Sequence, residues 1–235
     1  MDAFGQAALD FLEGISDEFI YVESETMEDD TIPVKHLFRT FNEMPKCEQI
    51  ALLNSKGKVL DVGGGVGSHC LYLQNKGLEA TLLDYSPGLC KVSARRGVKL
   101  IVKHDFFSWD SKEKYDTILF MMNGIGIGGN SKLFKKAIEK SFNLLKEGGQ
   151  LIFDSTDISF CYKQEDGSMI LPLHLEYHGN VRFRLKYKNK KDKWFNWSYY
   201  DPKKIRELLP LKYNFEILHQ EGPAYCGKIT LKKKY

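Results

Sequence analysis

One segment restricts the fold of this chain more than any other: VLDVGGGVGSH at Val59–His69. The apolar run Lys58–Val62 predicts a buried strand, and the residues after the glycines predict a helix. Between them, Gly63, Gly65 and Gly67 alternate with other residues. Glycine is needed where a chain turns sharply and where a ligand must approach the backbone closely. The segment therefore predicts a strand–turn–helix unit whose turn receives a ligand at the carboxyl end of a parallel strand.

The alternation of strands and helices continues downstream. Further apolar runs predict four more strands, and amphipathic runs between them predict two more helices. The predicted strands span 78–83, 98–102, 115–121 and 150–154, and the predicted helices span 86–97 and 132–146. Repeated alternation of this kind places parallel strands in one sheet with helices on both faces. The sequence thus predicts an α/β, doubly wound fold.

After residue 155 the pattern changes. Residues 181–187 alternate apolar with basic side chains, and KNKKDK separates them from WFNWSYY, which predicts a β-hairpin. Asp201-Pro202 predicts the start of a short helix that ends at Leu209. Residues 215–219 and 228–231 predict a closing antiparallel pair.

Upstream of the core, residues 5–20 place apolar side chains at helical spacing and predict an amphipathic helix. The acidic stretch that follows, to Asp30, predicts a loop, and residues 34–54 predict further helix interrupted at Pro45. We therefore expect a single domain over residues 1–235. Its expected parts are a helical N-terminal cover (1–54), a cofactor-binding core (55–155), and a substrate side with the hairpin and last strands (156–235).

Composition and charge narrow the class of protein. Apolar residues make up 43% of the chain, no apolar run is long enough for a membrane span, and the five cysteines include no CxxC pair. We expect a cytoplasmic protein without a metal site. Residues 1–34 hold ten Asp or Glu and no Lys or Arg, whereas residues 181–235 hold fifteen Lys or Arg against five Asp or Glu. This contrast leaves two interpretations open: a surface for nucleic acid, or lysines that protect exposed strands beside an acidic arm.

Polar residues at the ends of the later strands add to the glycine turn. Asp84 ends the second predicted strand, with Tyr85 beside it, and a carboxylate there can accept hydrogen bonds from both hydroxyls of a ribose. Asp105 and Phe106 follow the third strand, where an acid and an aromatic ring suit an adenine. The fourth strand ends in Met-Met-Asn-Gly at Asn123, and apolar side chains there can line the space around a methyl group.

A dinucleotide-binding unit is the nearest alternative. Its fingerprint is G-x-G-x-x-G followed about 20 residues later by an acid. Asp84 fits that spacing, but Ser68 occupies the position of the third glycine. Asp61, two residues before the first glycine, instead favours a ligand with an ammonium group, since an acid there can orient the turn and meet that charge.

These residues, with LLKEGGQLIFD at Leu144–Asp154, resemble the ordered motifs of class I S-adenosylmethionine-dependent methyltransferases. The likeness covers residues 58–154, departs from the commonest motif only at Gly64, and extends into flanks similar to a bacterial branch of unassigned substrate. It implies a seven-stranded, mostly parallel sheet of order 3-2-1-4-5-7-6 with strand 7 antiparallel, and S-adenosylmethionine as cofactor. The implied cofactor contacts are Asp61, Gly63, Gly65 and Gly67 for the methionyl part, Asp84 for the ribose, and Asp105 and Phe106 for the adenine.

Other candidate residues flank these motifs. Arg39, in HLFR, offers a fork of donors for the cofactor's carboxylate. The implied reaction is an in-line displacement at the sulfonium methyl group, and the sequence assigns no catalytic base, although His69 and His104 are near the motifs. Asp154 and Asp157 are interpreted as a strand-end acid and a helix cap rather than as metal ligands.

The sequence leaves the methyl acceptor open. Candidates for its pocket are the aromatic residues on the hairpin side, namely Tyr177, His178, Trp197, Tyr199 and Tyr200. We expect transfer to the oxygen or nitrogen of a small molecule. The alternatives are a protein or RNA methyltransferase that uses the basic C-terminal half, and a nucleotide-binding or NAD-dependent domain without methyl chemistry. The opposite charges of residues 1–30 and the hairpin predict that these segments approach each other over the cofactor.

Overall fold

Twelve strands and six α-helices make up the computed structural model, which describes residues 2–15, 19–164, 166–170 and 175–232. The strands are β1 (Phe19–Ser24), β2 (Asp30–Pro33), β3 (Lys58–Val62), β4 (Glu79–Asp84), β5 (Leu100–Lys103), β6 (Tyr115–Phe120), β7 (Leu145–Thr156), β8 (Asn180–Tyr187), β9 (Lys190–Lys191), β10 (Phe195–Ser198), β11 (Tyr213–Glu221) and β12 (Ala224–Leu231). The helices are α1 (Ala3–Leu12), α2 (Lys46–Asn54), α3 (Ser68–Asn75), α4 (Pro87–Arg95), α5 (Ser131–Leu144) and α6 (Pro202–Leu208). Short 3-10 turns span Val34–Phe38, Phe41–Glu43, Gly124–Gly126 and Ile158–Tyr162.

Seven strands form the main sheet in the order β11-β12-β7-β6-β3-β4-β5. The pairs β6–β7, β3–β6, β3–β4 and β4–β5 are parallel, whereas β12 is antiparallel to both of its neighbours. If β3 to β7 are counted as strands 1 to 5 and β11 and β12 as 6 and 7, this is the predicted order with strand 7 antiparallel. The predicted fold class is therefore confirmed.

Helices cover both faces of the main sheet because its parallel strands bury apolar residues on both sides. On one face, α2, α3 and α4 pack over a core that includes Leu52, Leu73 and Cys90. On the other face, α5 and α6 contribute Phe134 and Ile205 to the largest core cluster. Alternate residues of β7 point to opposite faces, so Ile152 and Asp154 share the α2 side while Phe153 lies on the α5 side.

A second, antiparallel sheet has the order β10-β8-β1-β2, with β9 paired to β8. The hairpin of β8 and β10 confirms the prediction for residues 181–200. The N-terminal helix is shorter than predicted, ending at Leu12, and the acidic stretch predicted as a loop instead contains β1 and β2. These strands form because of a tertiary contact: β1 pairs with β8 in a register that places Tyr21 opposite Lys186. The local sequence does not predict a partner so distant along the chain.

The charge contrast between the chain ends is resolved by this pairing. Glu23 of β1 lies within 3.1 Å of the Lys186 ammonium group and 2.5 Å of the Arg184 guanidinium group, both on β8. Arg182 pairs with Glu25 at 2.7 Å. Each exposed pair contributes little to stability, but the alternation of acids on one strand with bases on the next favours a single register.

Helix α1 fills the space between the second sheet and α4. Ala3 and Ala7 pack towards the second sheet, while its other side meets α4 at a contact between Gly5 and Gly88. A Cβ atom on Gly88 would lie 2.5 Å from the Cα atom of Gly5, so both positions must lack a side chain. The Ser86 hydroxyl donates to the carboxylate of Asp2 at 2.7 Å, which joins the start of α1 to the start of α4. In the described part of the chain, no helix combines the length and apolar character that crossing a membrane requires.

Candidate functional site

The glycine turn connects β3 to α3 at the carboxyl edge of the main sheet. Gly63, Gly65 and Gly67 have φ angles of 72°, 57° and 83°, in the left-handed region that favours glycine. A Cβ atom on Gly63 would meet no heavy atom within 4 Å, and one on Gly65 would come no closer than 4.0 Å to any heavy atom. By contrast, a Cβ atom on Gly67 would lie 2.4 Å from a methyl carbon of Val98. The first two glycines therefore face open space, whereas the third permits close packing.

Gly64 is required for a different reason. Its φ angle is not left-handed, but a Cβ atom there would lie 2.8 Å from both the Asp61 carboxylate and the Leu82 side chain. The departure from the common motif that the sequence shows at this position is thus a packing adaptation to Leu82.

Asp84 ends β4 directly beside the turn. One carboxylate oxygen accepts from the Gly65 N–H at 3.0 Å, and the other accepts from the Ser86 N–H at 2.8 Å. Burial raises the pKa of Asp84 to about 6, since the two N–H donors offset only part of the cost of removing its charge from water. At neutral pH the group is ionised and keeps further lone pairs for donors such as hydroxyl groups.

A network of buried ionisable side chains lies under the turn. Arg39, Glu48, Asp61 and His69 are 8%, 3%, 1% and 6% exposed. The Arg39 Nη2 group donates to both oxygens of Glu48 at 2.5 and 2.8 Å. His69 Nε2 lies 2.9 Å from a Glu48 oxygen, and its Nδ1 lies 3.6 Å from an Asp61 oxygen. The charges therefore alternate along the chain Arg39–Glu48–His69–Asp61.

The protonation state of His69 follows from these neighbours. Burial alone would lower the pKa of His69, but the carboxylates of Asp61 and Glu48 outweigh it and raise that pKa to about 10. Burial would raise the pKa of Glu48, but its hydrogen bond to His69 and its contact with Arg39 dominate and lower that pKa to about 2. His69 is thus an imidazolium at neutral pH, and this argues against its being a general base.

A cleft opens above the network beside the glycine turn. It measures about 360 Å³ including its open mouth. Its lining is the turn together with residues before α2 and at the end of β6: Leu37, Arg39, Gly63, Gly64, Gly65, Val66, Ser68, His69, Met121 and Met122. The structure thus brings Arg39, from outside the core motifs, to the same cleft as the glycines.

A second unusual turn follows β6. Met122 and Asn123 are consecutive non-glycine residues with φ angles of 58° and 57°, a conformation that costs each about 1–2 kcal/mol. The Asp154 carboxylate accepts from the Asn123 N–H at 2.9 Å, and the Thr156 hydroxyl donates to the Asn123 side-chain oxygen at 2.9 Å. Strand β7 therefore holds this turn in place and leaves the Met122 side chain partly exposed.

The comparisons with known proteins match this geometry. A family model described as a methyltransferase domain matches residues 36–220. The chain belongs to this methyltransferase family. It is similar to an S-adenosylmethionine-dependent methyltransferase from Bacteroides fragilis, whose crystal structure contains S-adenosyl-L-homocysteine. The two share 33% identity over 98% of this chain and 94% of that chain, with a TM-score of 0.90. The protein is therefore a class I methyltransferase whose cofactor is S-adenosylmethionine.

More distant structures share the fold alone. A methyltransferase from Clostridium acetobutylicum is 15% identical over 82% of this chain and 94% of that chain, with a TM-score of 0.62. A sugar N-methyltransferase from a Streptoalloteichus species is 15% identical over 90% of this chain and 98% of that chain, with a TM-score of 0.56. No curated protein matches the sequence.

Asp105 and Phe106, which were predicted for the adenine, follow β5, and Tyr85, another predicted cofactor contact, follows β4. Asp105 is exposed and accepts from the Ser108 N–H at 3.0 Å. Phe106 is only 2% exposed, and its ring packs edge-on against Phe120 in the core, so it offers no open face in this conformation. Tyr85 is 69% exposed. The roles of these three residues remain predictions.

The aromatic residues predicted for the acceptor pocket divide into two groups. Tyr177 and Tyr200 are buried, and the Tyr177 hydroxyl donates to Asp201 at 2.6 Å, so both serve the core. His178, Trp197 and Tyr199 are partly exposed. Nε2 of His178 lies 3.9 Å from Asp157, which also caps the 3-10 turn at Ile158–Tyr162, as predicted for that acid.

Glu48 is the site residue that sequence reasoning missed. It lies on α2, outside every motif, and its side chain is the centre of the ion network. The available signal was weak: in KCEQIALLN, Glu48 lies one residue after Cys47 and three before Ala51, both of which are buried. His104, the other histidine near the motifs, is exposed, and its ring nitrogen Nδ1 lies 3.1 Å from the Asp105 carbonyl oxygen.

Proposed function

We propose that this methyltransferase transfers the methyl group of S-adenosylmethionine to an oxygen or nitrogen atom of a small molecule by in-line displacement. The observation that carries the proposal is the carboxylate of Asp84, held by the Gly65 N–H against an open glycine turn. In that arrangement, a carboxylate that can accept hydrogen bonds from two hydroxyl groups lies next to backbone that a ligand can approach closely.

The residues of the cleft suit each part of the cofactor. Gly63 and Gly65 leave room that any Cβ atom would fill, and Asp61 lies beneath them for the ammonium group of the methionyl part. Arg39 suits the carboxylate, because its Nε is buried and has no hydrogen-bond partner among the described residues. We assign the ribose to Asp84.

The remaining predicted contacts complete this proposal. The adenine would lie towards Tyr85, Asp105 and Phe106, and Asn123 would lie near the reacting end. Met121 and Met122 place apolar side chains at the cleft, where they would limit access of water.

The cofactor supplies an activated methyl group on a sulfonium ion, so the protein need only provide approach geometry and a dry site. The held turn at Met122 and Asn123 fixes one wall of that approach. We assign no general base, since His69 is held as a cation between two carboxylates.

The charge pattern favours a small acceptor over a nucleic acid. Arg182 of the basic hairpin pairs with Glu25, and Arg184 and Lys186 share Glu23, so two carboxylates offset part of the positive charge of these three side chains. Nucleic-acid binding depends on unneutralised Lys and Arg that can release counterions from phosphates. Distant structural neighbours include a sugar N-methyltransferase and a glycopeptide N-methyltransferase.

The cofactor part is tested by calorimetry with S-adenosylhomocysteine and with NAD. We expect micromolar binding of the first and none of the second, and the opposite result would overturn the assigned site. The acceptor part is tested with isotope-labelled methyl groups in a cell extract separated by size. Label in the low-mass fraction supports the proposal, and label confined to protein or RNA contradicts it.

A further inference from the structure

Burying the ion network under the glycine turn costs the folded state free energy. Four charged side chains from three separate segments are each at least nine-tenths buried. Replacing such a network by well-packed apolar residues is often neutral or stabilising, because removing charges from water is costly. The neighbours of Glu48 on the buried side of α2 are Cys47, Ala51 and Leu52, so an apolar residue would suit this position for packing alone.

We infer that Glu48 and His69 are positioning residues for the amino-acid end of the cofactor: Glu48 holds the guanidinium group of Arg39 at the cleft, and His69 holds the carboxylate of Asp61 beneath it. This inference rests on the proposed cofactor site. Neither residue is assigned a contact with the cofactor, and each acts through its neighbour.

The geometry of Arg39 shows how its orientation is fixed. One terminal nitrogen, Nη1, donates to the His36 carbonyl, and the other, Nη2, donates to Glu48. A planar guanidinium group held at both ends cannot rotate freely, so the direction of its Nε–H is also fixed. That Nε is the buried donor without a partner in the described residues, and Arg39 lines the cleft. The network therefore fixes the orientation of the guanidinium group beside the cleft and leaves one of its N–H groups without a partner among the described residues.

His69 makes the network continuous from Arg39 to Asp61. Its imidazolium group bridges the two carboxylates of Glu48 and Asp61. The two ends of the network then carry opposite charges, with a cation at Arg39 and an anion at Asp61. These match the carboxylate and ammonium groups of an amino acid, which would close the alternation of charges into a ring.

Removing the charge of Glu48 would disturb both ends together. With glutamine at this position, Arg39 and His69 become two buried cations that share no anion, and Arg39 loses its ion pair and one of its two acceptor oxygens at residue 48. We expect the guanidinium group to leave its present direction and His69 to lose its proton more easily. On the adenosine side of the site, the Asp84 carboxylate accepts from the Gly65 and Ser86 N–H groups and, among the described residues, shares no hydrogen bond with Glu48.

The test compares two ligands by calorimetry on the full chain. S-adenosylhomocysteine has the amino-acid end, whereas 5′-methylthioadenosine keeps the adenosine and sulfur but lacks it. We expect Glu48→Gln to weaken S-adenosylhomocysteine binding by about 10–100-fold and methylthioadenosine binding by less than about twofold. The matched control is Asp116→Asn, which makes the same change at the amino-terminal edge of the sheet, where Asp116 accepts from the Lys58 N–H. It should leave both affinities within about twofold of the parent.

The outcomes separate the inference from the proposed function. If Glu48→Gln weakens both ligands equally, or neither, Glu48 is structural and the inference is wrong. If Glu48→Gln fails to fold, Glu48→Asp keeps the charge but withdraws the carboxylate, and it must still show a selective loss of S-adenosylhomocysteine. Wild-type protein that binds methylthioadenosine but not S-adenosylhomocysteine would refute the inference. Protein that binds neither would refute the proposed cofactor site.

Discussion

Replacing Asp84 with asparagine removes one charge and little volume from the centre of the proposed ribose site. The carboxylate now accepts the Gly65 and Ser86 N–H groups, one on each oxygen. Asparagine can accept only one of them, because its amide nitrogen would face the other donor. It also loses the ionised acceptor for the ribose hydroxyls.

Asp84→Asn should weaken cofactor binding but should not lower the free energy of unfolding, so the two effects can be separated. A charge-assisted hydrogen bond contributes about 1.5–3 kcal/mol, so we expect S-adenosylhomocysteine to bind roughly 10–150-fold more weakly. Burial raises the pKa of Asp84 to about 6, so its ionised form costs the folded state about 3 kcal/mol above that pH. Asparagine relieves this cost but leaves one buried N–H poorly paired, at about 1–3 kcal/mol. The free energy of unfolding should therefore change by no more than about 2 kcal/mol.

The pH dependence supplies a second measurement with an unambiguous sign. Asp84 has a higher pKa in the folded state than in the unfolded chain, so its contribution to stability falls as pH rises from about 4 to 6. Cofactor affinity should change in the opposite direction, since the ionised carboxylate is the better acceptor. Calorimetry between pH 5 and 7.5 should show affinity rising for the wild type and flat for Asp84→Asn. A variant within twofold of the wild type at pH 7.5 would refute the assignment of Asp84 to the ribose.

The glycines give two further predictions. Gly65→Ala should fold with a loss of about 1–2 kcal/mol for the left-handed φ of 57°, because its Cβ atom would meet no heavy atom closer than 4.0 Å, but the methyl group should weaken S-adenosylhomocysteine binding at least tenfold by occupying the cleft. Gly64→Ala should lower the free energy of unfolding by about 1–3 kcal/mol, as its Cβ atom would overlap Leu82 at 2.8 Å, and should weaken binding less than Gly65→Ala; equal losses of affinity in calorimetry would contradict this division. Gly88→Ala places a Cβ atom 2.5 Å from the Gly5 backbone, so hydrogen exchange in Ala3–Leu12 should accelerate while Lys58–Val62 stays protected. Unchanged exchange in α1 would mean that the helix can shift without loss.

The main sheet was predictable because its signals are local. Ser86 caps α4 and Pro87 occupies its first turn, and the alternation of apolar runs with amphipathic ones predicts parallel strands, whereas the order of the strands came from the family resemblance. The second sheet was only half predictable. Residues 181–198 alternate with a period of two, which predicts a strand from the local sequence. The acidic composition around β1 is instead typical of a loop, and this segment becomes a strand through its pairing with β8.

The candidate site divides in the same way. Asp61, Asp84 and the glycines stand at fixed distances from strand ends, so spacing alone brings them together. Arg39 was proposed from the donors of its guanidinium group rather than from its spacing, and the structure brings it to the cleft. Spacing could not identify Glu48, because its role depends on how α2 packs over β3 and α3. A short sequence motif does not predict the angle at which a helix packs. Phe106 shows that an aromatic residue after a strand can also belong to the core, since its ring is buried in the largest core cluster and its place beside an adenine stays a prediction.

The pairing of β1 with β8 sets an order of events while the chain is being made. Residues 19–24 leave the ribosome early, but their partner at 183–186 follows only about 160 residues later. At roughly 5–20 residues per second, β1 waits on the order of 10–30 s. During that interval Phe19 and Tyr21, which remain exposed even in the finished fold, stand on a strand with no neighbour on the β8 side. The five acids between Glu23 and Asp30 then act as gatekeepers, because their mutual repulsion opposes pairing of one nascent chain with another. Two of these acids, Glu23 and Glu25, later pair with the basic residues of β8, so part of a stretch that keeps unfinished chains apart comes to join β1 to β8 in the finished one.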